Sequence, residues 1–277
     1  MDSSQQPRTD FPPFVDAAWL EAHRSDVVIA DVRWYLDGGS GREAYDGGHL
    51  PAAVFVDLDA WLSGPSGPRG LNPLPAPEVF AQGMSSLGIG NETTVVAYDD
   101  AGGVIAARLA WMLRVLGCRA AVLDGGLAAW AGPLETRPTE PEPATFTMSP
   151  WPEAGLADVD GVTSGAAVVD ARNPDRFDGS LQLPTDPQPG HIPGAINVPC
   201  RGNLTQSGHL RPIAEVREAF LSVGIEDASA VVSYCGSGVT ACHNLLALEH
   251  AGLGRGRLYP GGWSEYAADP RRSAELG

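Results

Sequence analysis

The sequence contains no lysine, and all eighteen of its basic residues are arginines. A chain without lysine forms no Schiff base through its side chains and has no lysine general base. Thirty-four acidic residues outnumber the arginines and give a formal net charge of −16 at pH 7. Such a charge repels phosphate backbones and anionic membrane surfaces, so we expect neither a nucleic-acid nor a membrane partner. Any anionic substrate must therefore be held by local donors.

Cysteine and long hydrophobic runs are also scarce. The four cysteines are too scattered for a disulfide framework and lack the paired spacing of metal ligands; they are Cys118, Cys200, Cys235 and Cys242. No stretch approaches the roughly 18 uncharged apolar residues of a membrane helix, and the amino terminus has no signal-peptide pattern. We therefore predict reduced thiols, no metal or other cofactor, and a cytoplasmic location.

The order of the motifs repeats along the chain, which indicates an internal duplication. The first half contains VVIADVR (27–33), GHLPAAVFVDL (48–58), TVVAYDD (94–100) and VLDGGLAAW (122–130). The second half contains AVVDAR (167–172), GHIPGAINVP (190–199), AVVSYCG (230–236) and LYPGGWSEY (258–266). Asp99 and Gly125 are 26 positions apart, and so are Cys235 and Gly261, so the two copies keep one register.

Each copy alternates short apolar runs with helical segments, such as 104–116 and 241–251. Apolar strands separated by helices are typical of a parallel sheet covered on both faces. We therefore predict an α/β fold of two tandem domains, each a mainly parallel sheet flanked by helices. Two amphipathic segments, 77–88 and 213–224, end in glycines that we expect to cap helices.

The stretch 133–155 is rich in proline and has no sustained apolar period, so we predict an extended linker there. This places an amino-terminal domain at 1–132 and a carboxy-terminal domain at 156–277. Cys235 has its equivalent in Asp99 of the first copy, so only the second domain is predicted to be catalytic.

Cys235 follows a buried strand and opens a loop of small residues before a predicted helix. Backbone N–H groups of a glycine-rich loop at a helix amino terminus converge on one point and favour negative charge there. Gly236 and Gly238 allow the backbone to approach the sulfur closely, while Ser237 and Thr240 offer hydroxyl donors. We call residues 235–240 the Cys235 loop and predict that it stabilises a thiolate nucleophile. The other three cysteines are interpreted as small buried hydrophobic residues.

These motifs resemble the rhodanese superfamily over nearly the whole chain. The resemblance lies in CGSGVTA (235–241), GHIPGA (190–195), GHLPAA (48–53), GGW (261–263) and the tandem arrangement. The loop is most similar to that of the 3-mercaptopyruvate sulfurtransferase type. The resemblance implies that Cys235 takes sulfur from a small anionic donor, 3-mercaptopyruvate or thiosulfate, as a persulfide. The sulfur then passes to cyanide or to a thiol such as thioredoxin or a low-molecular-weight thiol.

The same resemblance assigns roles to further residues. Gly236, Ser237, Gly238, Val239 and Thr240 are implied to bind the substrate, and Arg176 to hold the donor's anionic group. An ion pair of Arg176 with Asp170 or Asp178 is the structural alternative. Arg172 is interpreted as structural. The family commonly has a second arginine where this chain has SLQLPTDPQPG (180–190), which contains none.

Proton transfer in the family is implied for His49 together with Ser237 and an upstream aspartate, for which Asp37 is a loose candidate. His49 has an equally good structural interpretation, because His191 occupies the same motif in the second copy.

Two alternative functions use the same scaffold. A cysteine phosphatase needs an arginine that clamps phosphate at the end of a longer loop, and position 241 is alanine, which argues against it. A persulfide carrier that receives sulfur from a partner enzyme stays open, and such a carrier would turn over small donors only negligibly.

Overall fold

The computed structural model describes residues 11–163 and 167–277. Residues 1–10 and 164–166, which fall in the two predicted domains, lie outside the described residues. The chain divides into two compact units. The first consists of Met1–Leu62, Pro75–Pro152 and Gln206–His209, and the second of Ser63–Leu74, Glu153–Thr205 and Leu210–Gly277. Each unit thus includes a short segment from the opposite half of the sequence.

The first unit is built on a parallel sheet with the strand order β1-β5-β4-β2-β3. Its strands are β1 (Phe14–Val15), β2 (Val27–Asp31), β3 (Val54–Phe55), β4 (Thr94–Tyr98) and β5 (Ala120–Leu123). Its helices are α1 (Ala17–His23), α2 (Gly41–Gly47), α3 (Pro77–Ser86) and α4 (Ala107–Val115). A π-helical turn covers Leu58–Leu62, and a 3₁₀ turn covers Gly126–Ala129.

The second unit has a parallel sheet with the order β7-β6-β8-β9. Its strands are β6 (Ala167–Asp170), β7 (Ile196–Asn197), β8 (Val231–Tyr234) and β9 (Arg257–Leu258). Its helices are α5 (Pro174–Phe177), α6 (Ile213–Leu221), α7 (Ala241–His250) and α8 (Gly262–Tyr266). Short 3₁₀ turns lie at Glu153–Gly155, Cys200–Asn203 and Ala228–Ala230.

The predicted fold class is confirmed, and the sequence signals behind it are visible in the packing. All four residues of β8 are buried, as expected of a strand covered on both faces. Gly88 and Gly224 follow α3 and α6 with φ of +73° and +83°, the left-handed conformation in which glycine ends a helix without steric cost.

The duplication extends to a buried ion pair in each unit. Arg33 binds Asp31 through Nε and Nη2, and Arg172 binds Asp170 in the same way, with an Nη2–Oδ2 distance of 2.6 Å in both. Arg172 Nη2 also donates a hydrogen bond to the carbonyl of Gly190, at the start of the GHIPGA motif. Since these side chains are almost fully buried and paired, Arg172 has the structural role expected of it.

Within residues 11–163 and 167–277, no helix has the length and apolar content needed to cross a membrane.

Candidate active site

Cys235 lies directly after β8, a central strand of the second sheet, and the Cys235 loop leads into α7. Loops at the carboxyl ends of parallel strands are where α/β proteins place their functional groups. The cysteine is free and only 2% exposed. Cys235 is therefore almost completely buried, and the five residues 236–240 connect it to the first residue of the ten-residue helix α7.

Gly238 is required by the path of the loop. Its φ is +77°, and a Cβ atom there would lie 2.4 Å from the carbonyl oxygen of Pro260. Both the backbone conformation and the available space therefore exclude a side chain at this position. The Cys235 loop thus passes against the Pro260 backbone with no intervening atoms.

The segment GGWS (261–264) holds the Cys235 loop through backbone hydrogen bonds. The amide of Trp263 donates to the carbonyl of Cys235 at 2.8 Å, and the amide of Ser264 donates to the carbonyl of Gly236 at 2.9 Å. Gly262 has a φ of +58°, and a Cβ atom there would lie 2.6 Å from the Cys235 carbonyl oxygen. The closing motif of the second copy therefore positions the backbone of Cys235.

The corresponding loop of the first unit shows what such a loop binds. There the Asp99 carboxylate accepts four backbone N–H groups at 2.7–2.8 Å, from Ala101, Gly103, Ile105 and Ala106. Asp99 is fully buried. Burial raises the pKa of its carboxyl group, and the four amide bonds oppose that rise. The loop is thus an anion site filled by its own side chain.

The two loops share one backbone contact with the closing segment of their unit. The amide of Leu127 donates to the Asp99 carbonyl as Trp263 does to Cys235, and Gly126 has a φ of +56°, matching Gly262. The common register of the two copies therefore corresponds to a backbone contact that is present in both units. Cys235 thus stands in the second unit where Asp99 stands in the first, directly after the central strand and in contact with the closing segment of its unit.

Cys200 is a neighbour of the site that the sequence did not reveal. Burial raises the pKa of its thiol to about 12, a charge on nearby Arg201 opposes the rise, and a charge on Cys235 adds to it. The Thr240 side chain also opposes the rise of the Cys200 pKa. No spacing rule links positions 200 and 235, so only the fold could have identified this neighbour.

Arg176 lies against the Cys235 loop. A Cβ atom on Gly236 would lie 2.9 Å from Arg176 Nη2 and 3.5 Å from Nη1, so the guanidinium lies directly beside the residue that follows the cysteine. Arg176 is also in an ion pair, but the sequence-based partners, Asp170 and Asp178, are wrong. The partner is Asp186, because Asp170 already binds Arg172 and the chain returns through residues 180–190 beside Arg176.

His49 lies in the first unit, and its surroundings match those of His191 in the second. His49 stacks on Tyr45 with ring centroids 3.8 Å apart, and His191 stacks on Phe177 at 3.6 Å. Each histidine also pairs through its backbone with a glutamate, Glu135 or Glu275. These contacts account for a structural role of the histidine in both units, and a role of His49 in proton transfer stays a prediction.

Comparison with known proteins places these features in a family. The model of the rhodanese-like domain matches residues 16–133 and 156–269. A Pseudomonas aeruginosa protein named as a probable 3-mercaptopyruvate sulfurtransferase is 40% identical over 266 residues, covering 91% of this chain and 93% of that protein. A provisionally named thiosulfate sulfurtransferase of Mycobacterium tuberculosis is 37% identical over 261 residues, covering 91% of each.

A solved structure gives the same result. The 3-mercaptopyruvate sulfurtransferase from Leishmania major superposes with a TM-score of 0.84 at 34% identity, covering 96% of this chain and 77% of that one. Two domain matches in tandem, relatives matched over almost their whole length and the repeated loop geometry agree. The chain therefore belongs to the rhodanese family and is a sulfurtransferase.

Proposed function

We propose that Cys235 is the nucleophile of this sulfurtransferase and that 3-mercaptopyruvate is its donor. The observation that carries the proposal is the contact that Cys235 and Asp99 both make with the closing segment of their unit, because the Asp99 side chain in that position is an anion held by four backbone amides. The relatives named for 3-mercaptopyruvate support the choice of donor.

In the first step the Cys235 thiolate attacks the donor sulfur. The carbon–sulfur bond breaks, its electron pair stays with the three-carbon fragment, and protonation of that fragment gives pyruvate. In the second step an acceptor thiolate attacks the outer sulfur of the Cys235 persulfide. The sulfur–sulfur bond breaks, and the Cys235 thiolate leaves and is regenerated. This is covalent catalysis in two half-reactions.

The residues of the Cys235 loop bind and stabilise the sulfur species. The amides of Gly236, Ser237, Gly238, Val239 and Thr240 form the loop, and fixed N–H donors of this kind stabilise anions that develop in a reaction. Arg176, next to Gly236, is the cation that meets the donor's carboxylate. The acceptor is a small thiol or a thiol protein such as thioredoxin.

The test is the variant Cys235→Ser, with Cys118→Ser as its matched control because Cys118 is a buried thiol of the first unit. We expect C235S to lose pyruvate release and to gain no sulfur mass when mixed with 3-mercaptopyruvate, while C118S keeps both. Undiminished turnover by C235S would refute the proposal. A wild-type protein that fails to turn over either 3-mercaptopyruvate or thiosulfate would instead be a persulfide carrier.

A further inference from the structure

The cation beside Cys235 carries its own counter-ion. Arg176 Nη2 and Nε both bind the Asp186 carboxylate, the Nε–Oδ2 distance being 3.1 Å. The amide of Leu183 donates to the same carboxylate at 3.2 Å. The side chains of Arg176 and Asp186 are only 15% and 4% exposed, so water screens the pair weakly.

Asp186 lies in the stretch 180–190, which contains no arginine. The chain therefore has a negative charge in this stretch and not a further positive one. A guanidinium can bind a carboxylate through two parallel hydrogen bonds from Nε and Nη2. In Arg176 both of these nitrogens already donate to Asp186. A donor anion is left with the Nη1 side of a cation whose charge is largely neutralised.

We propose that Asp186 sets the charge selectivity of the donor site, favouring monoanionic donors of the mercapto-acid class over dianions such as thiosulfate. The inference rests on the proposed function, since it concerns the same donor site beside Cys235. Asp186 acts through Arg176 and touches no reacting atom, so it is a positioning residue. Its charge should change donor binding and leave the sulfur-transfer step unaltered.

The size of the effect follows from the charges. The interaction energy of Asp186 with a donor scales with the donor's charge, so its fold effect on a dianion is the square of that on a monoanion. We expect Asp186→Asn to lower the KM for 3-mercaptopyruvate by roughly ten-fold and that for thiosulfate by roughly a hundred-fold, with kcat unchanged. The KM for thiosulfate should therefore fall by the larger factor.

Steady-state kinetics with both donors and cyanide as acceptor test this. The matched control is Asp175→Asn, which removes one negative charge from the same short helix as Arg176. Asp175 is exposed, and its carboxylate accepts the Arg176 backbone amide and not the guanidinium. The variant Asp186→Ala accompanies D186N, so that a poorly folded asparagine variant does not decide the outcome.

A larger fall in the thiosulfate KM than in the 3-mercaptopyruvate KM, in D186N or D186A and not in D175N, supports the inference. Unchanged KM values in folded D186A, or equal falls for both donors, overturn it. In either case an active wild type and an inactive C235S leave the proposed function standing. No turnover with either donor by the wild type overturns both.

Discussion

Replacing Gly262 by alanine is expected to damage catalysis through the backbone of Cys235, the proposed nucleophile. The new Cβ would lie 2.6 Å from the Cys235 carbonyl oxygen and 3.0 Å from that of Gly236. Contacts below 3.0 Å must open, so the loop or α8 has to move by several tenths of an ångström. The same two carbonyls accept the amides of Trp263 and Ser264, and the movement weakens those bonds.

The cost has two parts. A left-handed backbone costs an alanine about 1–2 kcal/mol, and a weakened hydrogen bond costs about 1 kcal/mol, so G262A should lose about 2–3 kcal/mol of unfolding free energy. Because small displacements of a reacting group lower rates steeply, we expect kcat/KM to fall roughly ten- to hundred-fold.

Gly126→Ala is the matched control that the duplication supplies. Gly126 has the same left-handed conformation, and its Cβ would lie 2.4 Å from the Asp99 carbonyl oxygen. Urea unfolding should show a similar loss of stability in both variants, measured for each transition of the two-unit chain. Initial rates at a temperature at which both are folded should fall only in G262A. Equal rates in the two variants would refute the link between the Gly262 contact and catalysis.

Two other predictions concern buried histidines. Burial lowers the pKa of His243 to about 3, and the charge of Arg201 adds to the fall. A histidine in the unfolded chain has a pKa near 6.5, so between about pH 6.5 and 3 the unfolded chain binds a proton at His243 that the folded chain does not bind. The contribution of neutral His243 to stability is therefore present above this pH range and is lost as the pH falls through it. From pH 7 to 5 the wild type should lose about 2 kcal/mol more unfolding free energy than H243Q, and parallel losses would contradict this. If His49 transfers a proton, H49Q should remove one ionisation from the pH profile of kcat while H191Q retains it. An unaltered profile in H49Q would leave His49 with its structural role alone.

Residue patterns along the chain were enough to predict the fold class, two helix ends and the duplication. Strand and helix periodicity indicated the α/β fold, and Gly88 and Gly224 marked helix ends because only glycine adopts their backbone conformation cheaply. The spacing of 26 positions predicted equivalent loops in the two copies, and the Trp263–Cys235 and Leu127–Asp99 contacts match it.

What the sequence by itself determined is therefore the order of elements, the duplication and the singling out of Cys235 as the candidate nucleophile, since each depends on neighbouring residues. Only the tertiary structure decided the surroundings of that residue. Asp186 is the partner of Arg176 because the chain folds back beside it ten positions later, and Cys200 comes near Cys235 from an element distant in sequence. Such pairings depend on the path of the chain between elements, which residue spacing does not encode.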